Sequence, residues 1–448
     1  MRQIVSRDPF TGEQVFSVPA AGAAAAGAAA ARALAAQPAW AATPVSDRAA
    51  VLRAFAGAVE AEAERLAERL VREVGKRRVD AAGEVAWTAR SARFYAAHPP
   101  AEERAGDARV ARRPVGVVAA ITPWNVPLLT PAWKWLPALM AGNAVVWKPS
   151  ERATGIAMAA LDLLHAAGVP DAVVAVVPGA AETARALAAD ERVAAVHFTG
   201  SDAAGHSLAA LAAPRFARLA LEMSGLNPAI VLADADLDLA ARCIVACGTA
   251  LAGQKCTATR RVLVDAAVAG PLTDRLAERI AGLRVGDPRD PATDVGPLIG
   301  PAARADAESE VARACAAGAR VLARASAQQH ASLFAPVLLG ELAADDPLRE
   351  RELFAPVISI EAFGSPDQAW TMANATPYGL SAAVYGRDAV RLEQAAASVR
   401  AGVLAVNRRG DDVIVEAPFG GRGRSGNGQA EGGTYVYAAL TDLQAVYG

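Results

Sequence analysis

The sequence predicts an α/β protein with Rossmann-type, doubly wound parallel sheets, and three observations support this class. From Gly116 onward, short β-branched runs alternate with Ala/Leu-rich stretches of helical length. The strand-like runs are apolar on both faces, as in parallel strands covered by helices. At 448 residues, the chain is also long for a single hydrophobic core. Ligands of such folds bind beyond the carboxyl ends of the strands.

The first β-α series ends near residue 225. Its predicted strands are 116–122, 143–149, 172–178, 193–199 and the apolar run 219–225. Its predicted helices are 131–142, 153–168, 180–189 and a helix from 201. We expect residues 1–96 and 114–224 to form the first domain, interrupted by an excursion at 97–113.

A second β-α series follows Asn227 and predicts a second α/β domain over residues 225–418. Its predicted strands are 228–234, 260–265, 356–363, 381–386 and 402–407, with a long helix at 236–251. The Pro/Gly cluster at 286–301 is predicted to be a structured loop of this domain.

Composition and charge narrow the class of protein. Hydrophobic residues make up 53% of the chain, charged residues 21%, and the net charge is −2. Such a chain lacks the basic excess of proteins that track nucleic-acid phosphates. The N-terminus is charged and turn-rich, and the Ala/Gly run Ala20 to Ala31 is too short for a membrane span. We therefore expect a cytoplasmic protein without nucleic-acid or membrane partners.

Several motifs are absent or misleading. The five histidines are scattered, without H-E-x-x-H or C-x-x-C, so we expect no metal site. The segment "GRGRSG" (421–426) fits G-x-G-x-x-G by its letters, but too little chain follows it to build a βαβ unit. Cys243 and Cys247 share a predicted helix face, as small core residues do.

Two strand-to-helix turns have the composition of nucleotide contacts. "FTGS" (198–201) places Gly200 and Ser201 where a helix N-terminus favours an anionic group. "WKPSE" (147–151) supplies Lys148 and Glu151 at a sheet edge, where a carboxylate favours an unphosphorylated ribose. Each turn alone is equally consistent with an ordinary β-α connection.

Three further residues have the chemistry of a catalytic site. Glu222 ends an apolar strand, so its carboxyl group must be paired, protonated or used, and a raised pKa suits a general base. Asn125 lies between two prolines after a strand, where a rigid amide can stabilise an oxyanion. Cys256, in "GQKCTATR", is by itself a candidate nucleophile, metal ligand or core residue.

Six motifs in order resemble the aldehyde dehydrogenase superfamily. They are "TPWNVPLLTPAWKWLPALMAGNAVVWKPSE", "FTGS", "LEMSG", "GQKC", "RELFAPV" and "PFGG", and the resemblance extends from "RDPFTGE" to "SGNG". It implies that Cys256 is the nucleophile and Glu222 the general base. It also implies that Asn125 shares the oxyanion hole with the Cys256 backbone N–H, and that Lys134 lies near a proton path.

The resemblance implies NAD as the cofactor, with NADP possible. The matching cofactor contacts are Thr122, Trp124, Lys148, Glu151, Gly200, Ser201, Glu352 and Phe354. It further implies oxidation of an aldehyde to a carboxylic acid through a cysteine thiohemiacetal and a thioester that is then hydrolysed. The alternatives are acyl transfer to coenzyme A, whose enzymes tend to lack the Glu222 base, and a non-catalytic dinucleotide-binding relative.

The substrate remains open between two classes. "GQKCTAT" and the Arg408–Arg409 pair resemble members that act on carboxylate-bearing semialdehydes, whereas "PFGGRGRSGNGQAEGG" resembles members that oxidise benzaldehyde-type substrates. Taken by themselves, the two arginines are more simply explained as surface charges. The expected pocket residues are Val126, Trp133, Lys255, Thr257, Arg408, Arg409 and Phe419.

The chain departs from the family pattern in three places. "EMSG" replaces Glu-Leu-Gly-Gly, and Ala355 replaces a glycine, which predicts mild strain if that position is left-handed. Ala430 and Glu431 compete for the position of a glutamate near the C-terminus. The family also implies a homodimer or homotetramer, bridged by residues 97–113 and 419–448.

Overall fold

A five-stranded parallel sheet occupies the centre of the first half of the protein. The computed structural model describes residues 2–448. In spatial order the strands are Val174–Val176, Ala144–Lys148, Val117–Ile121, Val193–Thr199 and Arg218–Glu222. The helices between them are Leu129–Met140, Thr154–Ala166, Ala181–Ala189 and Asp202–Ala212. In chain order, the central strand comes first, the two strands on one side of it follow, and the two strands on the other side come last. This change of side leaves a crevice at the carboxyl ends of the strands.

The residues before this sheet form a hairpin and four helices. The hairpin pairs Gln3–Arg7 with Gln14–Pro19. The helices are Ala23–Ala42, Val45–Ala61, Ala63–Val74 and Arg78–Ala97. Their buried side chains belong to the same hydrophobic core as the five-stranded sheet, so this segment covers that sheet.

A seven-stranded sheet forms the second half. In spatial order its strands are Arg320–Arg324, Val337–Gly340, Val357–Phe363, Thr259–Asp265, Asn227–Val231, Ser381–Tyr385 and Val403–Val406. Within this sheet, as described for residues 2–448, only the edge pair Arg320–Arg324 with Val337–Gly340 is antiparallel. The helices around this sheet are Leu237–Thr249, Ala269–Ala281, Pro301–Ala316, Pro366–Asn374 and Ala389–Ser398.

A three-stranded antiparallel sheet joins the excursion to the C-terminus. Strand Ala108–Pro114 pairs with Glu103–Ala105 on one side and with Thr441–Val446 on the other. Short strands elsewhere are Arg284–Val285, Ser326–Ala327, Tyr378–Gly379 and Arg422–Gly423, with a short helix Tyr437–Leu440. The 3-10 turns are Glu151–Ala153, Ala213–Arg215, Ala250–Gly253, Ala266–Val268, Pro347–Arg349 and Thr434–Val436.

The predicted α/β class with parallel, doubly wound sheets is confirmed. The run Ala20 to Ala31 opens the helix Ala23–Ala42, and no helix within residues 2–448 combines the length and apolarity of a bilayer span. Residues 421–426 lie in a turn region beside strand Arg218–Glu222, through a bridge between Glu222 and Gly426, and not between a strand and a helix.

Candidate active site

Side chains from both halves of the chain line one cavity of about 570 Å³. Glu222 arrives from the end of its strand, and Cys256 from the loop between the turn Ala250–Gly253 and strand Thr259–Asp265. The nucleophile and base candidates, 34 positions apart in sequence, are therefore neighbours around the same space.

The loop that carries Cys256 is held by its backbone. Asn227 Nδ2 donates to the carbonyl oxygens of Cys256 at 2.7 Å and Ala258 at 2.9 Å, and Asn227 Oδ1 accepts from Ser381 N. A Cβ at Gly225 would lie 2.4 Å from Cys256 O, so only glycine fits there. The Asn227 amide and the close approach of Gly225 fix the position of the loop relative to the sheet.

Cys256 is half-buried and its thiol is protonated at neutral pH. Desolvation in the cavity raises the pKa of Cys256 to about 12, the Glu352 carboxylate adds to the rise, and Lys255 opposes it. The thiol must therefore give up its proton during attack.

Asn125 lies against the same loop. Its side chain is buried, and its Nδ2 donates to the carbonyl of Gln254 at 2.9 Å. Gln254 is itself tied down, because its Oε1 accepts from Ile299 N at 2.8 Å. An amide nitrogen has two donor hydrogens, so one is engaged with the loop and one is left to face a ligand.

Glu222 is 2% exposed, and within residues 2–448 neither of its carboxylate oxygens has a hydrogen-bond partner. Burial raises the pKa of Glu222 well above its usual value, the nearby Glu431 adds to the rise, and Lys134 opposes it. Lys134 is buried and ion-paired with Glu431. Ala430 has no polar side chain, so of the two competing positions, Glu431 supplies the carboxylate.

The crevice between the two sheets contains the expected nicotinamide contacts. Phe354 and Trp124 stack edge to face with ring centroids 5.8 Å apart. Burial raises the pKa of Glu352 to about 7, although Arg260 opposes the rise, and Glu352 Oε1 is buried without a hydrogen-bond partner among the described residues. A buried carboxylate oxygen without a hydrogen bond, next to an aromatic slot, fits a ribose hydroxyl and a flat ring.

The expected contacts to the other end of a dinucleotide lie at the carboxyl edge of the five-stranded sheet. Ser201 caps the helix Asp202–Ala212 and follows Gly200, so this helix N-terminus is available to a pyrophosphate. Lys148 Nζ lies 3.2 Å from the Glu151 carboxylate. Thr122 sits at the next strand end, where its hydroxyl accepts from Trp147 Nε1 at 2.8 Å. These residues fit a dinucleotide.

The catalytic cavity is lined by both apolar and charged side chains. Among the expected pocket residues, those that line it are Val126, Trp133, Lys255, Thr257, Arg409 and Phe419. Trp133 and Phe419 stack edge to face at 6.0 Å. Arg408 is absent from this lining, and its guanidinium pairs with Asp412.

The two arginines Arg408 and Arg409 therefore do not line the cavity together. Arg409 reaches the cavity but is held by two hydrogen bonds to the buried Asp411. Lys255 Nζ binds the same carboxylate at 2.5 Å. Although burial opposes ionisation, Lys255 and Arg409 hold the pKa of Asp411 well below its usual value, so this triad retains a net positive charge.

The strain expected at Ala355 is also not present. The non-glycine residues with positive φ in the described chain are Phe216, Leu251, Ala252, Glu341 and Asn407. Ala355 is buried with ordinary backbone geometry. The neighbouring Gly253 has a left-handed backbone, at φ 71°, and a Cβ there would lie 2.5 Å from the Ala355 carbonyl carbon.

Three residues of the site carry no sequence signal that we recognised. They are Asn227, Arg260 and Asp411. The Arg260 guanidinium is buried and donates to Ala355 O at 2.7 Å and to Gly253 O at 2.5 Å, and it lies 3.7 Å from Glu352. It thus joins the nucleophile loop to the segment of Glu352 and Phe354. The signal available for Arg260 is a charged residue at the start of the apolar strand predicted at 260–265, four residues after the candidate cysteine.

The chain is similar to known proteins along nearly its whole length. The family model described as "Aldehyde dehydrogenase family" matches residues 1–446. N-succinylglutamate 5-semialdehyde dehydrogenase 1 of Caulobacter vibrioides is 36% identical, across 99% of this chain and 98% of that protein. The crystal structure of an NAD-dependent aldehyde dehydrogenase from Sinorhizobium meliloti is similar with a TM-score of 0.94 and 32% identity, across 99% of this chain and 91% of that one. A glyceraldehyde-3-phosphate dehydrogenase from Methanocaldococcus jannaschii, complexed with NADP, has a TM-score of 0.94 and 29% identity, across 99% and 98%.

Proposed function

The chain belongs to the aldehyde dehydrogenase family, and we propose that it oxidises an aldehyde to a carboxylic acid by the hydrolytic route. The protein is an NAD(P)-dependent oxidoreductase. One observation supports the hydrolytic route most strongly: the Glu222 carboxylate is buried and unpaired among the described residues, and it lines the same cavity as the Cys256 thiol.

In the first half-reaction, the sulfur of Cys256 attacks the aldehyde carbon as the thiol proton passes to solvent water in the cavity. The oxygen of the adduct takes up negative charge beside Asn125 and the Cys256 backbone N–H. Removing one such donor typically costs about two to three orders of magnitude in rate. A bound nicotinamide dinucleotide supplies the hydride acceptor, and the acyl group then remains on Cys256 as a thioester.

In the second half-reaction, Glu222 takes a proton from water, and the resulting hydroxide attacks the thioester carbon. The carbon–sulfur bond breaks, which releases the carboxylic acid and regenerates Cys256. Glu222 is suited to this step because its raised pKa makes it a stronger base than an exposed carboxylate. Lys134 and Glu431 lie next to Glu222 and provide a place for its proton to go.

We propose NAD as the preferred cofactor and a carboxylate-bearing semialdehyde as the substrate. Glu151, beside Lys148, disfavours a 2′-phosphate. The C. vibrioides relative is named for the semialdehyde of N-succinylglutamate. The positive side of the cavity, formed by Lys255 and Arg409 with one aspartate, suits such an anion. An aromatic aldehyde is the second candidate, favoured by the aromatic pair Trp133 and Phe419 in the cavity lining.

A panel of aldehydes assayed with NAD and with NADP tests this proposal. We expect NADH formation with semialdehydes, a higher kcat/KM with NAD than with NADP, and no consumption of added coenzyme A. Cys256→Ala serves as the matched control and should form no NADH. Consumption of coenzyme A in proportion to NADH would contradict the hydrolytic route, and a large preference for NADP would contradict the role of Glu151.

A further inference from the structure

A second concave surface adjoins the catalytic cavity. It encloses about 360 Å³ and lies between the helices Leu237–Thr249 and Ala269–Ala281. We call it the arginine cleft, because Arg77, Arg242, Arg279 and Arg409 line it. The cleft and the catalytic cavity share three lining residues, Asp80, Ala250 and Arg409. The two spaces are therefore separated by one layer of side chains at most.

The charges in the arginine cleft are not balanced. Arg77 is paired with Asp80 through two hydrogen bonds of 2.8 and 2.9 Å, so these charges cancel. Arg409 is held by Asp411, as described above. Within residues 2–448, Arg242 and Arg279 form neither an ion pair nor a hydrogen bond.

The remaining acidic group in the cleft is Asp294, whose carboxylate accepts from the Arg284 backbone N–H. One carboxylate thus faces the two free guanidinium groups of Arg242 and Arg279, so the cleft carries a net positive charge. Guanidinium groups bind carboxylates with two parallel hydrogen bonds, which makes such a surface selective for them.

The position of the cleft relative to Cys256 indicates which molecule it binds. Helix Leu237–Thr249 carries Arg242 and leads through the turn Ala250–Gly253 directly into the Cys256 loop. An elongated molecule that enters the catalytic cavity past Ala250 and Arg409 has its far end in the cleft. The cavity supplies apolar walls for the middle of such a molecule, and the cleft supplies cations for its end.

We propose that the arginine cleft binds the distal carboxylate of an extended aldehyde substrate, with Arg242 and Arg279 as its specificity-determining residues. This inference rests on the proposed function, because it assumes that an aldehyde reaches Cys256. It replaces the Arg408–Arg409 clamp, whose cations are already engaged by Asp412 and Asp411. It also distinguishes the two substrate classes, since a simple aromatic aldehyde has no group for the cleft.

The test compares ω-oxo carboxylates of four, six and eight carbons with uncharged n-aldehydes of the same lengths. In Arg242→Gln and Arg279→Gln we expect KM for the best ω-oxo carboxylate to rise about 10- to 100-fold, as for a lost charge-assisted hydrogen bond. KM for the n-aldehydes should change less than about twofold, because these aldehydes have no carboxylate to bind in the cleft. Arg275→Gln is the matched control, since Arg275 lies on the same helix as Arg279 but pairs with Asp238 outside the cleft.

Binding of the corresponding dicarboxylates to Cys256→Ala, followed by calorimetry with and without Arg242→Gln and Arg279→Gln, separates the two possible failures. If no aldehyde is oxidised but the dicarboxylates bind in an arginine-dependent way, the proposed function fails and the cleft assignment stands. If both aldehyde series are oxidised and the arginine variants leave KM for the ω-oxo carboxylates unchanged, the cleft assignment is overturned and the proposed function stands. Oxidation of the n-aldehydes alone overturns it as well.

Discussion

At the scale of single residues, Arg260 shows how the site is held together. Its one guanidinium contacts carbonyl oxygens in two loops of the seven-stranded sheet, Gly253 O and Ala355 O, and it lies beside the Glu352 carboxylate. It also lies 6.0 Å from the centre of the Phe354 ring. Burial lowers the pKa of Arg260, and Glu352 opposes this. The nucleophile loop and the expected nicotinamide contacts are therefore positioned by the same side chain.

We predict that Arg260→Lys raises KM for NAD by about tenfold or more while KM for the aldehyde stays within about twofold. A compact ammonium cannot span the positions that the planar guanidinium reaches. Arg261→Lys is the control, because Arg261 is equally buried but donates to Met372 O, away from the crevice. Equal effects of the two variants on KM for NAD, measured by steady-state kinetics and NADH titration, would show a general packing role instead.

Site residues whose chemistry is unusual for their local sequence can be predicted from the sequence alone. Glu222 in an apolar run and Asn125 between two prolines are visible locally, and the structure brings Glu222 into the cavity with Cys256. Arg260 and Asp411 were not found, because their importance comes from partners about a hundred or more positions away. The sequence does not show which of two adjacent arginines turns toward a cavity, and in the structure Arg409 and not Arg408 lines it.

At the scale of elements, the strand-to-helix connections of the two sheets determine where the chemistry lies. The buried parallel strands were predicted well, since continuous apolar runs such as Val193–Thr199 are typical of strands covered by helices on both faces. The edge strand Arg320–Arg324 was not predicted, because its exposed, arginine-containing sequence lacks that signal. The helices Val45–Ala61 and Arg78–Ala97 were also not assigned, since alanine occurs on several of their faces and weakens the helical periodicity.

The close approach of Gly225 to the nucleophile loop gives an element-scale prediction. In Gly225→Ala the new Cβ would lie 2.4 Å from Cys256 O and 2.6 Å from Asn227 Oδ1, so the loop must shift. We expect kcat/KM to fall about 100-fold, as for a misplacement of roughly 1 Å. Gly57→Ala is the control, since a Cβ there meets nothing within 4 Å in a helix interior, and it should leave activity unchanged with an equal or higher Tm. Parent-like kcat/KM in Gly225→Ala would contradict a fixed loop.

At the scale of the whole molecule, two doubly wound sheets face each other across one crevice. The five-stranded sheet contributes Glu222 and the expected pyrophosphate turn, and the loops of the seven-stranded sheet contribute Cys256 and Glu352. Neither sheet alone contains both a nucleophile and a base. The three-stranded sheet pairs the excursion with the C-terminal strand. We propose that this sheet forms part of a homodimer or homotetramer contact. Sedimentation of a variant ending before Thr441 would test this proposal.

We propose that Cys256 and Glu222 act in successive half-reactions at one site. Rapid mixing of Glu222→Gln with NAD and the best aldehyde of the panel tests it most directly, with Cys256→Ala as the control. We predict that Glu222→Gln forms NADH in a burst stoichiometric with enzyme, followed by turnover about 100- to 10,000-fold slower than in the parent, as expected when a general base is lost. Cys256→Ala should show neither phase. Parent-like steady turnover in Glu222→Gln, or a burst in Cys256→Ala, would contradict the assignment.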